Sequence, residues 1–226
     1  MNTLFITVGT SALKNDVGRA PDDRDNGALK AEIQRYFAAP QKDEQRWGRL
    51  RSDLIDAHTR YWHADSLFTN DPRNFLYTSA ELTSTVFLVR SLQAKEPANV
   101  PKRSVLLSSD TPEGWLAAGI NEFVLRELFP EIPVERRKVS GLDVRFSNTQ
   151  AALKTVFDEY GIQDRDHVII NITGGFKGTI PFLSYFARAH AWELYFQHES
   201  QDSAVLLPFE KNGEPGEVKE YEPWKD

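Results

Sequence analysis

Apolar residues in this chain come in short runs of strand length that alternate with longer stretches of helical period. Residues 3 to 8, Ser104 to Ser108, Ile132 to Val139, Val168 to Ile172, Leu194 to Gln197 and Ala204 to Pro208 are the strand-like runs. Between them, Trp47, Leu50, Leu54, His58, Tyr61 and Trp62 recur at helical spacing, predicting one long amphipathic helix from Asp43 to Phe68. Leu82, Val86, Phe87 and Val89 continue a second helix opened by Thr78 and Glu81, which have the spacing of a capping box. A third runs through Trp115, Ile120, Val124, Leu125 and Leu128, with Thr111 as its cap and Pro112 at its first position. Ser147 and Gln150 mark a fourth, reaching to about Tyr160, and Gly178 to Ala189 a fifth.

This alternation predicts an α/β fold of Rossmann-like type: a doubly wound, mostly parallel sheet with helices on both faces and a helical elaboration after the first strand. One domain is expected over residues 1–208, with a loop and helical insertion at about 14–70 and a charged tail at 209–226. Lys14 to Gly27 is polar and rich in turn residues, which predicts a surface loop there.

In open sheets of this kind, ligands bind beyond the carboxyl ends of the strands. Three turns at those ends are rich in small or hydroxyl residues. They are Gly9, Thr10 and Ser11 after the first strand, Ser108 to Gly114 with Asp110 and Thr111, and Thr173 to Gly178. The last stands out, because Gly174, Gly175 and Gly178 surround Phe176 and a single lysine, Lys177, between an apolar strand and a helix. Glycine allows positive φ and close backbone approach, and the free N–H groups of a helix start attract anions. The turn is read either as a phosphate site or as a close-packed connection. Ser11 reads as a helix or turn cap, and Ser79, Glu81 and Thr111 read as caps.

Composition narrows the chemistry. The 226 residues are 40% hydrophobic and 27% charged, as in a globular protein, and carry no cysteine, which fits a reducing, cytoplasmic setting. Met1 leads directly into the first strand without a leader pattern, and no apolar run is long enough to span a membrane. Thirty-three acidic residues against 27 basic ones give a net charge of −6, which argues against broad adhesion to DNA or other long nucleic acids. Five histidines lack metal-ligand spacing, so no metal and no cofactor is expected. Arg51 and His58 fit an Arg-x6-His ribonuclease pattern, or simply lie on one amphipathic face.

Together, Val8 to Ser11, Ser79 to Leu82, Leu107 to Gly114 and above all Asn171 to Lys177 resemble the CRISPR-associated Rossmann-fold (CARF) family over nearly the whole chain. The resemblance implies a homodimer binding a cyclic oligoadenylate across its two-fold axis, in type III CRISPR antiviral signalling. Only a short tail follows the core here, where effector members carry a further domain. That points to the stand-alone ring nucleases, in which a serine after the first strand and a lysine after the glycine turn carry the reaction: Ser11 and Lys177. The ligand-binding set implied beside them is Gly9, Thr10, Ser79, Glu81, Asp110, Thr111, Thr173, Gly174, Gly175, Phe176 and Gly178. The expected activity is cleavage of cyclic tetra-adenylate to linear di-adenylate through 2′-OH attack, without metal. A non-catalytic sensor acting on a separate effector, and a ribonuclease using Arg51 and His58, are the competing readings.

Overall fold

A computed structural model describes residues 2–15, 26–42, 45–63, 78–142, 148–162, 166–175, 177–198 and 204–221. Its seven strands are β1 (Thr3–Val8), β2 (Arg103–Ser109), β3 (Val134–Val139), β4 (Val168–Asn171), β5 (Glu193–Gln197), β6 (Ala204–Pro208) and β7 (Lys219–Tyr221). Among the described residues the helices are α1 (Ser11–Lys14), α2 (Asn26–Ala38), α3 (Gly48–His63), α4 (Ala80–Lys95), α5 (Pro112–Leu128), α6 (Thr149–Glu159) and α7 (Ile180–His190). The strands form one sheet in the order β3-β2-β1-β4-β5-β6-β7. Strands β3 through β5 are parallel, while β6 and β7 join antiparallel.

Period-two alternation along the strands feeds two cores. Leu4, Ile6 and Leu106 face a layer that includes Leu54, Leu82 and Ile120, so α3, α4 and α5 cover one side. Phe5, Val105 and Ile170 face Leu153, Phe157 and Phe186, so α6 and α7 cover the other. There Phe5 and Phe157 meet edge to face at 4.9 Å, and Phe157 meets Trp192 at 5.0 Å. Helices on both faces of a mostly parallel sheet make this a Rossmann-like α/β fold. The polar β3 carries Glu135, Arg136, Arg137 and Lys138 at a sheet edge, where charge discourages further strand pairing.

Several boundaries differ from the sequence expectation, each for a local reason. The helix expected from Asp43 begins at Gly48, after a turn; 43–44 and 64–68 lie outside the described residues. Helix α2 was not foreseen: its alternating Ala, Lys, Glu and Arg positions hide a face that Leu29, Ile33 and Tyr36 press on the core. The Lys14–Gly27 loop falls mostly outside the described residues. The box expected at Ser147 and Gln150 begins at a residue outside the described ones; α6 starts at Thr149, its N-cap Asn148 makes no side-chain cap bond, and Thr149 Oγ1 donates to the Gly141 carbonyl at 2.9 Å. Part of the segment expected as a tail lies in the sheet, because β7 pairs with β6.

Candidate functional site

Strand order places the site. The chain moves from β1 outward to β2 and β3, then returns to place β4 on the other flank of β1, so the crevice between the β1 and β4 carboxyl ends is the topological switch point. The turns carrying Ser11 and Lys177 are the two that leave those strands. Neighbouring strands lie about 4.8 Å apart, and a Cβ built on Gly9 would sit 3.1 Å from the Gly175 nitrogen, so the turns touch.

Glu81 holds them together. It is 2% exposed and reaches from the first turn of α4 into the crevice. Its Oε1 accepts from the Gly9 N–H at 2.6 Å and from the Gly175 N–H at 3.3 Å, while Oε2 accepts from the Ser11 hydroxyl. Ser11 Oγ in turn accepts from the Ala80 N–H at 3.3 Å. The capping-box expectation for Thr78 and Glu81 is therefore corrected. Ser79 is the N-cap, accepting from the Leu82 N–H at 2.9 Å, and the carboxylate is spent on three donors from two distant turns.

This contact also explains the glycines. A Cβ on Gly174 would lie 2.2 Å from Glu81 Oε1, and Gly175 has φ +80° with Thr7 Cβ only 2.9 Å from its own absent Cβ. Thr7 Oγ1 donates to the Gly174 carbonyl at 2.6 Å, fixing the turn from beneath. Thr173 turns inward, its hydroxyl accepting from the Gln197 N–H at 3.0 Å, and Ser79 is likewise buried. The helix predicted from Gly178 begins at Ile180, after a 3-10 turn over Lys177–Thr179. Lys177 itself is exposed, its Nζ donating to the Thr173 carbonyl at 3.1 Å and lying 5.6 Å from the Phe196 ring centroid. Gly178 is exposed beside it, Gly9 and Thr10 are half-buried, and Phe176 lies outside the described residues.

Asp110 and Thr111 belong to the next turn along the same edge, after β2. Thr111 caps α5 by accepting from the Gly114 N–H at 3.1 Å, with Pro112 in the first turn as expected, and Asp110 is exposed. Arg51 and His58 are not brought to the edge as a reactive pair. His58 is wholly buried between Thr78 Oγ1 at 2.9 Å and the Ala12 carbonyl at 3.1 Å, so Nε2 carries the proton and Nδ1 accepts. Burial pushes its pKa down to about 4, partly offset by the Ala12 bond. Arg51 lies over the Phe123 ring at 4.7 Å. His58 is thus a neutral strut tying α3 to α1 and to the entry of α4.

The family model described as CRISPR-associated protein (Cas_APE2256) matches residues 77–210. The chain belongs to that family, which is of CARF type. CARF-type domains bind cyclic oligoadenylates in general. The match covers Glu81, the β2 turn and the Lys177 turn, and leaves β1, Ser11 and helices α2 and α3 outside it. A search of curated proteins returned no significant match. No helix of the CARF-type domain, among the described residues, is long and apolar enough to cross a membrane, and no group of metal-ligating side chains occurs among them.

Proposed function

We propose that this protein is a homodimeric ring nuclease that binds cyclic tetra-adenylate and cuts it to linear di-adenylate, switching off type III CRISPR signalling. The observation that carries this reading is the Glu81 carboxylate, which joins the Ser11 turn and the Lys177 turn into one unit at the switch point. Ser11 gives its hydrogen to Glu81 and accepts from the Ala80 N–H, which leaves its oxygen one further lone pair to accept from a ribose 2′-OH. The 2′-oxygen attacks the adjacent phosphorus as its proton passes to Ser11 and the Ser11 proton to Glu81. The bond from phosphorus to the 5′-oxygen then breaks, leaving a 2′,3′-cyclic phosphate.

Lys177 is the cation of the turn that leaves β4, its Nζ bonded to the Thr173 carbonyl and lying over the Phe196 ring. Swung toward the cyclic ligand, it neutralises the phosphorane oxygens and protonates the departing 5′-oxygen. Alignment of the 2′-OH with the phosphate is worth up to ~7–11 kcal/mol in ideal cases, and one donor to the developing charge roughly 3–4 kcal/mol. Two copies of the site about a dimer axis would meet opposite phosphates of a four-membered ring, giving two cuts.

The test is incubation of purified protein with labelled cyclic tetra-adenylate in EDTA. Linear di-adenylate ending in a 2′,3′-cyclic phosphate, lost in Ser11→Ala and Lys177→Ala, is the expected result. A ring that stays bound and intact makes the protein a sensor for a separate effector, and a ring that does not bind ends both readings. The sensor reading has its own support in the Gly175 N–H, which points to Glu81 in place of a vacant anion hole.

A further inference from the structure

Lys177 rests on the far side of its own turn from Ser11. Its Nζ donates to the Thr173 carbonyl at 3.1 Å and lies 5.6 Å from the centroid of the Phe196 ring. Phe196 belongs to β5, and the strand order places β5 on the flank of β4 opposite β1, whose outgoing turn carries Ser11. The two groups also go with different layers of the fold. Phe196 packs on the core under α6 and α7, while Ala12 and Leu13, next to Ser11, are part of the core under α3, α4 and α5. The ammonium is therefore turned away from the hydroxyl with which it would have to share a phosphate linkage.

The wall is fixed and the lysine is not. Phe196 is half-buried and pairs with Val205 within the β5–β6 ladder, which holds its ring in place. The neighbouring Gln197 N–H donates to the Thr173 hydroxyl at 3.0 Å, so β5 also steadies the residue whose carbonyl receives Nζ. Lys177, by contrast, is exposed, and its ammonium rides on a flexible four-carbon stem. An aromatic face within about 6 Å attracts a cation, but only weakly at an exposed position. A neutral carbonyl and a π face are both poorer partners for an ammonium than a charged phosphate oxygen. The resting contacts are strong enough to bias the side chain and weak enough to yield to a ligand.

We propose that Phe196 is a positioning residue for Lys177: with the Thr173 carbonyl it forms a berth that keeps the ammonium off the Ser11 crevice until a phosphate of the ligand draws it out. The destination of the lysine rests on the nuclease reading; the berth adds a resting state that must be left before cleavage. A protein whose competent conformer is only partly populated binds and reacts in proportion to that fraction. At an exposed site the cation–π contact corresponds to a bias of about two- to fivefold. The sign of the effect is distinctive, because removing the aromatic face should make the protein faster, whereas a loss of ordinary packing would make it slower.

Two readouts on the full chain test the berth. The first is the ε-methylene resonance of Lys177 in protein carrying ¹³C-labelled lysine, assigned with Lys177→Arg. The aromatic ring current should displace it upfield in the free parent, the displacement should vanish in Phe196→Leu, and cyclic tetra-adenylate should return the signal to the ordinary lysine position. An undisplaced signal in the free parent overturns the berth, and one still displaced with cyclic tetra-adenylate bound overturns the release. The second readout is kcat/KM for cleavage of cyclic tetra-adenylate. Phe196→Leu, which keeps apolar bulk on the core, should raise it about two- to fivefold. Phe196→Tyr, which keeps the aromatic face, should give the parent's value, and in a Lys177→Ala background Phe196→Leu should change nothing. A fall in kcat/KM for Phe196→Leu, or an equal change with and without Lys177, marks plain packing and overturns the proposal; circular dichroism shows whether that variant is folded, and if it is not, the parent's own resonance decides. If the parent binds cyclic tetra-adenylate without cutting it, the nuclease reading fails while the resonance still decides the berth. If it does not bind at all, the nuclease reading and the release step fall together.

Discussion

Two turns on the same edge of the sheet are built in opposite ways. The turn after β2 is held by its own residues: Ser109 Oγ meets Thr111 Oγ1 at 2.8 Å, Thr111 accepts from the Gly114 N–H, and a Cβ on Gly114 would collide with Ser109 Oγ. The turn after β4 is held from far away in sequence, by Thr7 of β1 and by Glu81 of α4. The first is braced mostly from within, with one long-range bond from Lys42 to Glu113. The second depends on the assembled fold, and so do the positions of Ser11 and Lys177, which makes the candidate chemistry inseparable from tertiary structure.

Removing the distant clamp should therefore have the largest effect. Glu81→Ala leaves the Gly9 and Gly175 N–H groups and the Ser11 hydroxyl without their acceptor. At about 1–3 kcal/mol for each buried group left unpaired, a loss of roughly 3–5 kcal/mol is expected in urea unfolding, with ring cleavage abolished. Gly174→Ala attacks the same contact from the other side, because its Cβ would lie 2.2 Å from Glu81 Oε1. Its stability should fall as well, whereas an alanine at exposed, unobstructed Gly48 should be neutral or stabilising. If Gly174→Ala and Gly48→Ala behave alike, the clamp is not what restrains the turn.

Lys177→Ala sharpens the contrast between holding the turn and doing chemistry. Lys177 is exposed, with one bond to the Thr173 carbonyl and a contact with the Phe196 ring, so its loss should leave stability within about 0.5 kcal/mol of the parent. Single-turnover cleavage of cyclic tetra-adenylate should nonetheless fall ~10²–10³-fold, the effect of deleting one donor to a developing oxyanion. Unchanged cleavage would take Lys177 out of the reaction.

What could be read in the sequence divides along the same line. The β2 turn was legible because Thr111, Pro112 and Gly114 act on one another within a few positions, and cap chemistry is local. The strands and the sheet's parallel core were legible from apolar periodicity, and the gathering of Gly9 to Ser11 with Thr173 to Gly178 followed from the α/β pattern. Glu81 was misassigned to a cap because its spacing from Thr78 imitates one, and only the fold reveals Gly9 and Gly175 at its other end. Helix α2 and the cavity lined by Tyr36 and Trp47 were missed for a related reason: a mixed apolar face shows its partner only after α3 is in place.

His58 extends the comparison to pH. Its bonds to Ala12 and Thr78 brace the start of α1, behind Ser11, and the entry of α4, below Glu81, so it supports the distant clamp and not the β2 turn. The folded protein holds it neutral with a pKa of about 4, against an ordinary 6.5. Below pH 6.5 the unfolded chain takes up a proton that the folded chain refuses, so this stabilisation is complete above 6.5 and is lost progressively down to about pH 4. The shift corresponds to something on the order of 3 kcal/mol at most. His58→Gln should flatten that part of the pH–stability profile in thermal melts, at a constant cost in stability above pH 6.5. A profile with the same slope as the parent would show that the imidazole already titrates in the folded state.

Thr111→Ala has the smallest expected effect and tests the local turn alone. It removes the acceptor for the Gly114 N–H and the partner of Ser109 Oγ, which for a helix cap costs about 1 kcal/mol. Because nothing in that turn reaches Glu81, the loss should add to that of Glu81→Ala within about 0.5 kcal/mol in a double mutant. A larger coupling energy would mean that the β2 turn and the clamped crevice respond as one body.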